Sequence, residues 1–204
     1  MPMQRKQGNP NWPQFRGNGA SGVADGWSLP KVWDVEKGDG VLWKSKVPGL
    51  GHSSPVIYGE RVYVTTAVGA ADASSLRIGL YGDIGPAADS GEQSWRLLCF
   101  DRKSGKELWS RELHRGVPRI QRHTKGTHAN PTVATDGKTV VAFFGSEGLY
   151  ATDTDGNLKW KRDLGVLDAG YFAVPSAQWG FASSPVIVGD KVLVQCDVQK
   201  GGFL

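Results

Sequence analysis

Four histidines, His52, His114, His123 and His128, and two cysteines, Cys99 and Cys196, are the side chains of this chain best suited to hold a transition metal or act as nucleophiles. Zinc sites need Cys or His in closely spaced pairs so that four ligands meet at one ion, and no such spacing occurs. The histidines read as solvent-facing loop residues, and the cysteines, each inside an apolar run, as buried free thiols. Glu147, in Gly145-Ser-Glu-Gly148, and Asp197 are the candidate carboxylates for acid–base or ligand roles, but neither falls in a metal-binding spacing. Asp153-Thr-Asp-Gly-Asn157 begins like a calcium loop and lacks its closing glutamate, so it reads as a turn. A glycine-rich phosphate loop and a Gly-x-Ser-x-Gly nucleophile elbow are both absent. No catalytic residue, metal site or cofactor is expected.

The remaining chemical signal is charge. The net charge is only +4, but eight Lys or Arg stand between Arg102 and His128 against Glu107 and Glu112. Arg115, Arg119, Arg122 and Lys125 fall on one connecting segment, where an anionic partner, an acidic glycan or an acidic protein loop, would find them. Nucleic acid is not expected, because no alternation of basic and aromatic residues accompanies the charges.

The elements that must position these groups come from repeats. Ser54-Pro55-Val-Ile-Tyr-Gly-Glu-Arg-Val-Tyr-Val64, Asn130-Pro131-Thr-Val-Ala-Thr-Asp-Gly-Lys-Thr-Val-Val141 and Ser184-Pro185-Val-Ile-Val-Gly-Asp-Lys-Val-Leu-Val194 each predict a β-hairpin, turning at Gly59-Glu60, Asp136-Gly137 and Gly189-Asp190. A second hairpin follows in the first two: Asp101 and Asp153 bond the turn backbone, Gly105 and Gly156 take its left-handed position, and Trp109 and Trp160 follow. Twenty-eight glycines against two methionines agree with short strands and tight turns rather than helices. Four-stranded antiparallel units that bury their faces only against neighbouring copies make an all-β propeller.

The pattern Ser-Pro-Val-x-x-Gly-x-x-Val-x-Val followed by Asp-x-x-Ser-Gly-x-x-x-Trp resembles the quinoprotein (PQQ-like) propeller repeat, shared by quinoprotein alcohol dehydrogenases and the outer-membrane barrel-assembly scaffold lipoprotein. Asn11-Trp-Pro-Gln-Phe-Arg-Gly-Asn-Gly19 and Arg122-His-Thr-Lys-Gly-Thr-His-Ala-Asn130 resemble a secreted bacterial subgroup of these proteins. The resemblance implies a periplasmic or extracellular protein. It also implies two functions: a non-catalytic scaffold for a protein or polysaccharide partner, or a dehydrogenase using PQQ with calcium. The family's enzymes place a disulfide of adjacent cysteines over the cofactor, and this chain has no Cys-Cys pair. A glycan-binding module is a third reading, through Trp179 and Phe181.

The expected organisation is a leading segment over 1–40 and an incomplete propeller over 41–204: an outer closing strand at 41–47 with Trp43, blade 1 at 53–114 with an insertion at 69–94, blade 2 at 129–165, and the start of blade 3 at 183–204. About two full blades plus a half blade and one closing strand fall short of a closed ring of roughly four to eight. An unpaired edge beside Trp43 and an exposed apolar face on the last unit are expected. Met1–Pro10 carries basic residues with no apolar stretch after them, so neither a signal peptide nor a membrane span is expected there. With strands running outward from the axis, all the long connections share one face. The residues just before each innermost strand, His52 and Ser53, His128 and Asn130, and Gln178, Trp179 and Phe181, would form its binding rim together with Arg115, Arg119, Arg122, His123 and Lys125.

Overall fold

Gly59 and Glu60 fold the first repeat back on itself. Gly59 takes φ +57° while Glu60 does not need a positive φ, the geometry of a turn with glycine in its first central position. It joins β1 (Val56–Tyr58) to β2 (Arg61–Val68), and β3 (Gln93–Asp101) and β4 (Glu107–Gly116) complete an antiparallel sheet in the order β1-β2-β3-β4. The β3–β4 turn is closed by Asp101, whose carboxylate accepts from the Ser104 amide at 2.8 Å and its hydroxyl at 2.6 Å. These bonds hold the Asp101 carboxyl below its ordinary pKa. The computed structural model describes residues 9–27, 30–69, 76, 86–88, 90–171, 174–199 and 201–204. Most of the expected insertion at 69–94 lies outside the described residues, and β3 already begins at Gln93.

The second repeat copies the first: β5 (Ala134–Thr135), β6 (Val140–Phe143), β7 (Leu149–Thr152) and β8 (Leu158–Arg162) form another four-stranded antiparallel sheet in chain order. Its first turn is shifted by one residue from the expected Asp136-Gly137. The Asp136 amide donates to the Thr139 carbonyl, so Gly137-Lys138 are central, and the Asp136 carboxylate accepts from the Lys138 and Thr139 amides instead. A further hairpin, β9 (Gly170–Tyr171) with β10 (Val174–Gln178), lies in a stretch expected to be a loop. Pro175 within β10 hides it from a sequence reading, since proline suits only unpaired edges of a ribbon. The third repeat is the hairpin β11 (Val186–Val188) with β12 (Lys191–Leu193), turning at Gly189-Asp190. The all-β expectation of antiparallel blades is met.

Alternation along the central strands sends side chains into successive interfaces. From β3, Trp95, Leu97 and Cys99 face the second repeat, where they meet Val133, Val140, Ala142 and Tyr150, while Leu98 and Phe100 face the other way, toward Trp43. From β6, Val141 and Phe143 face the third repeat and pack with Leu167, Phe181 and Cys196. The central strands of the two four-stranded sheets are thus buried on both sides, and the two cysteines are free thiols in different interfaces. Val188 and Leu193 of the third repeat are exposed, as are Val32, Trp33 and Leu42, which precede Trp43 in the chain.

Residues 41–48 form no strand. Trp43 docks by its side chain alone: its indole N–H donates to the Arg102 carbonyl at 2.8 Å, its ring covers Gly105, and the Ser45 hydroxyl donates to the Gly105 carbonyl. Trp109 repeats this on the next unit, donating to the Thr154 carbonyl at 3.2 Å with its ring over Gly156. The leading segment, expected outside the propeller, lies on its inner edge. Trp12 exchanges two backbone hydrogen bonds with Ile57 of β1 at 2.7 and 2.9 Å, and the Thr135 amide of β5 donates to the Pro13 carbonyl at 2.8 Å.

Candidate functional site

The long connections gather on one face, as their order in the chain requires. The Ala87 amide donates to the Arg122 carbonyl at 2.8 Å, tying the segment before β3 to the connector between the first two repeats. On the same face the starts of the three inner strands are stitched together. The Ser54 amide donates to the Thr132 hydroxyl and the Thr132 amide to the Ser184 hydroxyl, both at 3.0 Å. The His52 amide donates to the Ala129 carbonyl, also at 3.0 Å.

Around this ladder lies a cleft of about 370 Å³, lined by His52, Ser54, Lys125, Asn130, Thr132, Trp179 and Ser184, with Phe15, Gly126 and Ala182. All three repeats and the leading segment contribute. Trp179 is 49% exposed, and one face of its ring stacks on His123 at 4.3 Å and 24° between planes. The orientation of His123 is fixed in turn by its Nδ1, which accepts from the Lys125 amide at 3.1 Å. Asn130 is held by its amide oxygen, which accepts from the Thr127 amide at 2.9 Å and the Thr127 hydroxyl at 2.7 Å. Among the described residues no carboxylate lines the cleft, and no group of three or more His, Cys, Asp or Glu comes together.

Of the rim residues expected from the sequence, His52, Lys125, Asn130 and Trp179 line this cleft. Ser53 sits behind it, half-buried, accepting from the Thr65 amide. His128 is half-buried, 6.0 Å from the Trp95 ring, and its carbonyl accepts from the Trp95 indole at 3.0 Å. Gln178 contributes its backbone to β10, opposite Gly170. Phe181 corrects its expectation: it is 7% exposed and packs edge-on against Phe143 in the core. The missed residues are Phe15, Ser54, Thr132 and Ser184. Ser54 and Ser184 stand in the repeated Ser-Pro pair, which reads as a strand start, and only its recurrence at equivalent positions hinted that the hydroxyls share a place.

The basic run is largely a structural network. Arg115 binds Glu112 at 2.5 and 3.0 Å and Glu92 at 2.9 Å. That guanidinium, with the Ser94 hydroxyl, draws the Glu112 pKa down to about 2. Arg119 clasps both oxygens of Asp163 at 2.7 and 2.9 Å, which holds the Asp163 carboxyl well below the usual carboxylate range. The Arg119 amide donates to Glu147 at 2.8 Å, and His114 Nε2 lies 3.4 Å from the same carboxylate. Glu147 therefore braces a connector, and Asp197 is exposed beyond β12. Arg122 and His123, expected on the surface, are each 1% exposed, and Arg122 donates to the Gly126 carbonyl at 2.9 Å. A buried guanidinium satisfies carbonyls that a folded connector would otherwise leave unpaired.

A larger hollow of about 650 Å³ opens beside Arg102 and Ile57, bounded mainly by the leading segment from Asn9 to Trp27. It holds none of the expected rim residues. Among the described residues no helix is long and apolar enough to cross a membrane.

Comparison with known proteins agrees with this architecture. No curated protein matches the chain. A family described as outer membrane protein assembly factor BamB, built on the PQQ-type repeat, matches residues 30–194, which span both four-stranded sheets and the hairpin of the third repeat. The chain belongs to this BamB-like family of PQQ-repeat propellers.

Proposed function

We propose that the protein is a non-catalytic propeller scaffold that binds a protein or polymer partner at the cleft on its connector face. The observation that carries this reading is the composition of that cleft: three repeats and the leading segment converge on a half-exposed aromatic ring and a set of hydroxyls and an amide. Such a lining orients a ligand through hydrogen bonds and apolar contact, and among the described residues none of its hydroxyls is bonded to a histidine or carboxylate that would activate it as a nucleophile. The family description names an outer membrane assembly factor, which supports a place in the cell envelope, periplasmic or extracellular, and a scaffolding role.

The competing reading is a dehydrogenase with PQQ and calcium. Calcium takes oxygen ligands with carboxylates prominent among them, and none stands among the described residues of the cleft lining. Cys99 and Cys196 lie in separate interfaces, which does not suit an adjacent-cysteine disulfide over a cofactor. The residues present do not fit that group, and the scaffold reading is preferred.

The test is a benzophenone amino acid placed at Ala182 in the cleft or at Glu60 on the opposite, hairpin-turn face, followed by irradiation in envelope preparations. Adducts of defined mass should form from position 182, disappear when Trp179→Ala is added, and be absent from position 60. Equal labelling from both faces, or none from 182, would refute the proposal.

A further inference from the structure

The cleft's own chemistry narrows its ligand. We infer that it takes a neutral carbohydrate, with one pyranose ring stacked on Trp179. This rests on the reading above that the cleft is the working site. Trp179 leaves half of a large apolar ring in water although its plane is already fixed by His123 behind it. A ring exposed yet immobilised is a preorganised platform, and the flat C–H face of a pyranose covers it at little entropic cost.

Sugar hydroxyls need partners that both donate and accept, and the ladder supplies them. The Thr132 and Ser184 hydroxyls each accept one backbone N–H, and among the described residues neither passes its own proton to a protein acceptor. Ser54 and Asn130 stand beside them. The charge is also right for a neutral ligand. Lys125 is the one formally charged side chain among the described residues of the lining, and Arg115 and Arg119 of the basic run are already matched by Glu112, Glu92 and Asp163. The volume of about 370 Å³ suits one or two rings of a chain end.

An extended peptide is the weaker fit, for a reason independent of the cleft. Peptides that bind sheets add a strand to a free edge. The inner edges of β1 and β5 that lead into this cleft are occupied by Trp12 and Pro13 of the protein's own leading segment.

Calorimetric titration of the full chain with cellohexaose, maltohexaose and the hexamer of N-acetylglucosamine tests the inference, with an oligogalacturonate as acidic comparison. At least one neutral hexamer should bind saturably, with little change between low and high salt. Trp179→Ala should weaken it about tenfold or more, Trp179→Phe should retain most of it, and Ser184→Ala, which lowers Tm by taking away the acceptor of the Thr132 amide, should weaken it at a temperature where the circular dichroism spectrum is still native. Binding of the acidic oligomer alone, lost at high salt, would overturn the inference in favour of an anion site at Lys125. So would neutral binding that Trp179→Ala leaves unchanged. If no glycan binds while cross-linking from position 182 still yields a protein adduct, the sugar inference fails and the scaffold reading stands. If both fail, the cleft is not the working site.

Discussion

Trp43 and Trp109 do one job twice, and the glycine beneath each indole is what makes room. A methyl at Gly105 would lie 2.5 Å from the Trp43 ring, and Gly105 also has φ +70°. Gly165 has φ +80° with nothing within 4 Å of an added methyl. Both positions carry the left-handed strain of about 1–2 kcal/mol for a non-glycine residue, so the difference between Gly105→Ala and Gly165→Ala in urea unfolding isolates the clash with the indole. Gly105→Ala should be the more destabilising by at least about 1 kcal/mol, and equal losses would mean that the indole moves aside freely. Glu112 gives a pH-dependent counterpart. Its carboxyl is drawn from an ordinary 4.5 to about 2 by Arg115 and Ser94, so its contribution is present above the unfolded value and lost as pH falls through the folded one. The stability advantage of the natural chain over Glu112→Gln should shrink as pH falls from about 4.5 to about 2. It should be small, since the pair is largely exposed. At this scale the tryptophans, turn aspartates and glycines were legible because their spacing is the joint itself. Arg122 and His123 were not, because a charged or polar type argues for the surface, and only the path of the connector reveals the carbonyls and the indole that enclose them.

At the scale of the element, the connector from Val117 to Asn130 has no regular structure, yet its own side chains bond its backbone at several points. Its anchor is Arg122, buried and bonded to carbonyls of its own loop. Arg122→Ala should cost about 2–5 kcal/mol, from lost packing and unpaired carbonyls, whereas Arg115→Ala, at a half-exposed ion pair, should stay within about 1 kcal/mol. Chemical denaturation of the two variants separates them, and similar losses would show that the guanidinium does not organise the connector. The β9–β10 hairpin teaches the same lesson in reverse. Its residues lack alternation and include Pro175, so pattern alone suggests a loop, while pairing with Gly170 and Tyr171 supplies the ladder that local preference does not.

Across the whole molecule, the two thiols report on two different seams. Cys99 lies among fully buried side chains between the first and second repeats, and burial pushes its pKa up to about 12. Cys196 lies between the second and third, where Ile187, Val192 and Val194 are only partly buried. Maleimide labelling at pH 8 in rising urea should modify Cys196 before Cys99, with Cys99→Ser and Cys196→Ser variants assigning the signals. Simultaneous labelling would mean that the seams open as one cooperative unit. The architecture was the most legible feature of all, since the repeat encodes it several times over. The cleft was only half legible, because Phe15 reaches it from a leading segment whose sequence bears no relation to the repeats.

The seat of Trp109 in the turn of the following unit gives that junction a direction. The first unit carries a key on its outer strand and a lock in its last turn, and Trp43 in the lock at Gly105 is the same fitting one place earlier. A stretch running from one indole to the next therefore carries one whole fitting. The strand starts around the cleft, where Ser54, Thr132 and Ser184 are bonded in series, fasten the same units a second time at their inner edge, so that outer and inner seams must keep one spacing.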